Sequence, residues 1–131
     1  HLNSILDIIM TSTKDFIIQK FMQNLSDYRI YVIDGKSKYC LLRIPAKGAF
    51  IANASQGGIT KETNIPNELL DYINTIYLKT KVPFLCVDFL KSKNKYYFNE
   101  LETAGGFHPL PDPTNKLVGK EFFNVAKKYF G

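Results

Sequence analysis

Apolar residues recur at Leu2, Ile5, Leu6, Ile8 and Ile9, a helical spacing that stops at the Thr11-Ser12-Thr13 cluster. The period then changes to two. Phe16 to Met22, Tyr28 to Asp34 and Lys38 to Ile44 read as strands, and Asp34-Gly35 between the last two is a hairpin turn that predicts antiparallel pairing. From Pro45 to Ile65 the pattern loses its period and collects Gly48, Asn53, Ser55, Gln56, Gly57 and Gly58. A loop of that length in a compact domain is usually functional rather than filler, so residues 45–65 are read as a flap over a site. Pro66 suits the first position of a helix carrying Leu69, Ile73, Ile76 and Tyr77 on one stripe, and Pro83 enforces its end. Pro83 to Leu90 is almost continuously apolar, broken by Asp88, while Lys95 to Glu102 alternates; Ser92-Lys93-Asn94 joins them as a second hairpin. A Pro-rich loop from Pro109 to Pro113 leads to a last helix with Phe122, Val125, Ala126 and Tyr129 aligned. These elements predict an α+β fold in one domain, residues 1–131, with an antiparallel β-sheet and flanking helices packed on one of its faces.

Composition narrows the picture without changing it. With 45% apolar and 22% charged residues, 131 residues suffice for a core and exclude a disordered or low-complexity chain. No apolar run approaches the roughly 18–20 residues of a membrane span, and Leu2 to Met10 is too short and too interrupted by Asn3, Ser4 and Asp7 for a secretory core. The expectation is a cytoplasmic protein with no membrane partner. Cys40 and Cys86 lie in apolar runs without metal-type spacing and read as buried free thiols. The chain begins at His1 rather than at an initiator methionine, so a piece of a larger protein is expected.

The formal charge of +5 comes almost wholly from lysines, and these punctuate turns: Lys36 and Lys38, Lys79 and Lys81, then Lys91, Lys93 and Lys95. Scattered turn lysines are a solvated surface, not the clustered face a nucleic-acid module presents. The only arginines are Arg29 and Arg43. In so lysine-rich a chain they are informative, because arginine is chosen where a planar fork must grip phosphate or carboxylate.

Three acids interrupt two core strands. Strict alternation puts Glu100 and Glu102 on one face of their strand, together with Tyr96 and Phe98, and Asp88 lies in the partner strand between Val87 and Phe89. Carboxylates converging in apolar surroundings must protonate or take a cation among them, and magnesium is the economical answer, since it binds one or two carboxylates and completes its octahedron with water and phosphate oxygens. The plainer reading makes Glu100 and Glu102 a solvent-facing edge, with Asp88 ending its strand near water. In the flap, Gly57-Gly58 could turn backbone amides toward an anion, but the loop matches neither the phosphate-loop nor the dinucleotide fingerprint. His108 beside Gly105-Gly106 has no nucleophile elbow near it and reads as a loop histidine facing solvent.

Taken in order, Phe16-Ile-Ile-Gln-Lys-Phe-Met22, Asp27-Tyr-Arg29, Tyr39-Cys-Leu-Leu-Arg-Ile-Pro45, Asn53-Ala-Ser-Gln-Gly-Gly58, Val87-Asp88 and Asn99-Glu100-Leu-Glu102 resemble the C-terminal part of an ATP-grasp enzyme. The likeness is to bacterial glutathione synthetase and the ribosomal-protein glutamate ligases, and it runs in register from about Asp15 to Gly106. It implies the ATP-grasp C-terminal subdomain of an ATP-dependent carboxylate–amine ligase: ATP phosphorylates a small-molecule or peptide carboxylate, and an amine donor attacks the acyl phosphate. Residues 1–14 would end the central subdomain. The resemblance makes Gln19, Lys20, Phe21 and Met22 the hinge that holds adenine. Asn53, Gly57 and Gly58 become the closing loop, Leu101 joins the nucleotide positions, and Arg29 and Arg43 face phosphate or substrate carboxylate. Asp88, Glu100 and Glu102 then hold Mg2+, which suits a reaction that asks mainly for positioning and charge neutralisation.

The chain departs from the family pattern at Ile51, where the loop usually has arginine, at Glu102, usually asparagine, and at Thr103-Ala104-Gly105-Gly106, which replaces a small-residue and proline turn. The family's central-subdomain lysines are absent, so this chain alone is expected to bind nucleotide poorly and to be inactive. One rival reading is a degenerate, non-catalytic ATP-grasp domain that binds a nucleotide or partner. Another is a single-strand nucleic-acid binder using Tyr96, Tyr97 and Phe98 as a stacking platform, though alternation sends Tyr97 to the other face.

Overall fold

A computed structural model describes residues 2–11, 26–46, 58–103, 105–106 and 109–131. Its elements are α1 (Leu2–Met10), β1 (Ser26–Ile33), β2 (Lys36–Ile44), β3 (Ile59–Glu62), α2 (Asn67–Thr80), β4 (Phe84–Ser92), β5 (Lys95–Glu102) and α3 (Thr114–Phe130). The five strands form one sheet in the order β3-β2-β1-β4-β5, with every neighbouring pair antiparallel. The expected strand at Phe16–Met22 lies outside the described residues.

Turn chemistry explains both hairpins. Asp34 and Gly35 have φ of 49° and 79°, the left-handed pair that a two-residue hairpin needs to match strand twist. Gly35 is also required by space, because a Cβ there would run into the ring of Tyr77. Lys93 adopts φ 54° in the second hairpin. Within the stretch that the hydrophobic pattern left without a period, Ile59–Glu62 is a strand on the edge of β2; four residues are too few for alternation to show.

The helices do not share a face, contrary to the expectation from sequence. Leu69 and Ile73 of α2 pack with Ile30, Val32, Cys40, Leu85, Val87 and Phe89. Val118 and Val125 of α3, with Leu110, pack with Tyr31, Ile33, Leu41, Phe84 and Cys86 on the other side. Central strands with apolar residues on both faces need a cover on each, which β1 and β4 already announce by being buried almost end to end. Cys40 and Cys86 are both free and buried, one under each helix, and burial pushes each thiol up to about 12.

A second correction concerns β5. Asp88 is opposite Glu100 but Phe89 is opposite Phe98, so Asn99 is an extra residue in the ladder. This bulge reverses the alternation. Tyr96 and Phe98 turn toward the α2 side, edge-on to Tyr28 at 5.4 Å and to Phe89 at 6.2 Å, while Glu100 and Glu102 turn toward the α3 side. The three aromatics therefore present no common platform. No helix among the described residues is long and apolar enough to cross a membrane.

Candidate functional site

On the α3 side, apolar packing stops partway along the sheet and charge takes over. Asp27 and Arg29 of β1 share the face of Tyr31 and Ile33 by strict alternation; cross-strand register adds Arg43 opposite Asp27, Asp88 opposite Arg29 and Glu100 opposite Asp88. Glu102 lies opposite Cys86. Four strands thus supply one row of charges with no help from loops.

The row is bonded as an alternating chain. Arg29 grips Asp88 side-on, donating from Nε to Oδ1 at 2.9 Å and from Nη2 to Oδ2 at 2.8 Å. The same Nη2 lies 2.8 Å from Glu102 Oε2 and 3.7 Å from Glu100 Oε1. Arg43 reaches over β1 and donates from Nη2 to Asp88 Oδ2 and to Asp27 Oδ2, both at 2.6 Å. Asp27, Arg29, Arg43 and Asp88 are buried, Asp88 to 1% exposure, whereas the side chains of Glu100 and Glu102 remain 57% and 41% exposed.

Charge does not balance. Four carboxylates meet two guanidiniums, leaving two negative charges in excess if all are ionised. Burial, opposed by Arg43, raises Asp27 from 3.8 to about 6, with the Asp88 charge adding to the rise. Burial and then the Asp88 charge likewise push Glu100 up. Burial works against the charge of Arg29, but its bonds to Asp88 win and hold it above its ordinary value. Arg29 is thus a cation already lying among the three acids picked out by sequence, and among the described residues no three acids gather as a metal cluster.

The other expected site residues fall differently. Gln19, Lys20, Phe21, Met22, Asn53 and Gly57 lie outside the described residues, as do Ile51 and His108. Gly58 immediately precedes β3, which lies within the stretch 45–65 read as a flap. Leu101 faces away from the acids, lining an apolar groove of about 260 Å³ with Tyr72, Thr75, Ile76, Phe89 and Phe98. Arg29 and Arg43, expected to face phosphate, are occupied by the protein's own carboxylates.

Two contributors escaped the sequence reading. Asp27 is one; its alternation with Arg29 was the available signal. Tyr31 is the other. Its hydroxyl donates to the carbonyl of Gly106 at 2.9 Å, and burial pushes its pKa well above the ordinary phenol. Gly105 lies so close to Cys86 that a Cβ there would come within 2.9 Å of the Cys86 Cβ. Together they pin the turn that follows Glu102 onto the sheet.

Comparison with known proteins places the family and the fold. The family model described as a RimK-like ATP-grasp domain matches residues 1–115. Among solved structures, the macrocyclase MdnB from Microcystis aeruginosa MRC is similar at TM-score 0.63 and 14% identity, over 100% of this chain and 46% of that one. D-alanine–D-alanine ligase from Bacillus anthracis, complexed with ATP, is similar at TM-score 0.65 and 17% identity, over 97% of this chain and 45% of that one. A Chryseobacterium gregarium RiPP-associated ATP-grasp ligase, in complex with ADP and a leader and core peptide, is similar at TM-score 0.59 and 19% identity, over 82% and 33%. Identities this low establish the fold, and this chain spans less than half the length of each of the three. No curated protein sequence matches.

Proposed function

The chain belongs to the RimK-like ATP-grasp family, and from that premise we propose that it is the ATP- and magnesium-binding part of an ATP-dependent carboxylate–amine ligase that works through an acyl phosphate. The observation that carries the proposal is the charge row: two arginines and four carboxylates on one sheet face, with negative charge in excess. That imbalance suits a site whose complement is a cation and a polyphosphate.

The donor set is compatible with magnesium. Asp88, Glu100 and Glu102 offer only oxygen, and Asp88 and Glu100 are direct register partners. Magnesium needs only one or two protein carboxylates when phosphate and water supply the rest, so a three-acid cage is not required. When bound, the ion would neutralise phosphate charge. Arg29 keeps Asp88 oriented from the side, and Arg29 with Arg43 supplies the positive charge that phosphoryl transfer asks of a protein. Gln19 to Met22 would hold adenine, and Asn53, Gly57 and Gly58 would close over the phosphates. Leu101 would act by spacing the two acids, since its side chain faces the other way.

For the substrate, a peptide carboxylate is the preferred reading over a free amino acid, because a solved relative by fold is complexed with a leader and core peptide. The amine donor completes the reaction. The second reading, a domain that binds nucleotide or partner without catalysis, is favoured by one observation: both arginines are already bound to the protein's own acids.

Melting a chain extended upstream, with and without Mg-ATP, tests the first claim. A ligand that binds only the folded state must raise Tm, and no rise counts against nucleotide binding. ADP release by the whole ligase, over a panel of peptides and amines, separates the two readings. Asp88→Asn and Glu100→Gln are expected to abolish release while the fold survives, and retained turnover would remove both from the metal site.

A further inference from the structure

Arg43 and Asp27 are held together by half of the contact they could make. A guanidinium facing a carboxylate normally uses two parallel bonds. Here one nitrogen, Arg43 Nη2, is shared between Asp27 Oδ2 and Asp88 Oδ2 at 2.6 Å each. Arg43 Nε and Asp27 Oδ1 are both buried with no hydrogen-bond partner among the described residues. These two orphaned atoms belong to side chains that are direct cross-strand partners, and one is a donor and the other an acceptor. Meanwhile Asp88 Oδ2 is crowded, with contacts from Arg29 Nη2, Arg29 Nε and Arg43 Nη2.

A divalent cation and a guanidinium cannot share that oxygen without strong repulsion between them. Arg29 also bonds this oxygen, from Nη2 at 2.8 Å, but that nitrogen can turn wholly to Glu102 Oε2, already 2.8 Å away, while the Nε bond to Oδ1 keeps hold of Asp88. Arg43 has somewhere to go. We propose that Asp27 is a positioning residue that receives Arg43 when a cation takes Asp88: the guanidinium turns side-on to Asp27, pairing Nε with Oδ1 and Nη2 with Oδ2, and withdraws its own charge from Asp88 Oδ2. This rests on the reading of Asp88 as a magnesium ligand. Arg43 then acts as a stand-in that keeps Asp88 neutralised while the ion is absent, and Asp27 sets how readily it gives way.

Because the sequence holds only two arginines, the guanidinium Nε–Hε region of a nitrogen-labelled chain contains two signals, and Arg43→Gln identifies the one that belongs to Arg43. On titration with magnesium chloride that signal is expected to move to a hydrogen-bonded position and to become protected from exchange. In Asp27→Asn the movement should be lost, and the affinity for magnesium should fall by about tenfold, the usual cost of removing an outer partner of a metal ligand. Arg43→Gln should bind magnesium more tightly than the parent, because it removes the competitor, and this comparison needs no Asp27 variant. The proposal is overturned by an Arg43 signal that stays still while other resonances report binding, by the same movement in Asp27→Asn, or by weaker binding in Arg43→Gln. No magnesium-dependent change anywhere in the parent spectrum would overturn the cation reading as well.

Discussion

The face of the sheet under α2 and the face under α3 are made of alternate residues of the same strands, yet only one of them changes character along its length. Toward α2 the run Tyr28, Ile30, Val32 on β1 and Leu85, Val87, Phe89 on β4 is apolar throughout. Toward α3 it passes from Ile33, Tyr31 and Phe84, Cys86 to Arg29, Asp27 and Asp88. The first face can only be a core, while the second is half core and half site. A rigid strand therefore places charged groups within hydrogen-bond reach by the same spacing that packs the hydrophobic residues beside them, a firmer support for chemistry than a loop would give.

The contrast is broken most severely at Asp88. Asp88→Ala leaves two buried guanidiniums without their shared partner and should cost roughly 3–5 kcal/mol in urea unfolding. On the same strand, Leu85→Ala under α2 should cost about 2–5 kcal/mol as a cavity, and added salt should leave that loss unchanged. Equal salt responses from the two variants would show that the faces are not held by different forces. Next in size is Gly105→Ala, which forces the turn off Cys86 and should cost about 1–3 kcal/mol as overpacking. It should also disturb the resonances of Glu102, which stands beside it.

The smallest effect is a pH dependence. Asp27 has its pKa raised from 3.8 to about 6 by burial, so the folded state holds a proton that the unfolded state has already released. Its contribution to stability is therefore present below about pH 4 and is lost as pH rises to about 6. Asp27→Asn cannot titrate there, so the stability difference between parent and variant should shift against the parent across that window. A flat difference would mean that Asp27 ionises normally.

How much of this was legible beforehand varies with the element. The Asp34-Gly35 and Lys93-Asn94 turns, the stripe of α2 and the burial of both thiols follow from local rules and appear as read. The strand at Ile59–Glu62 is too short to carry a period, and the bulge at Asn99 leaves no mark in composition, so alternation placed Tyr96 and Phe98 beside the acids when they lie opposite. Asp27 was within reach, two positions from Arg29 on the same face, but a lone acid at a strand start gives no sign of its partner.

By itself the sequence determined which residues alternate, where the chain turns and which acids interrupt its core strands, because these depend on neighbours two to four positions apart. Only the tertiary structure decided that α2 and α3 cover opposite faces and that Arg43 reaches across β1 to Asp88. It also decided that Arg29 sits among the carboxylates. Those outcomes depend on strand order, on register and on contacts between segments as far apart in the chain as Arg29 and Glu102 or Tyr31 and Val125, which no local spacing encodes.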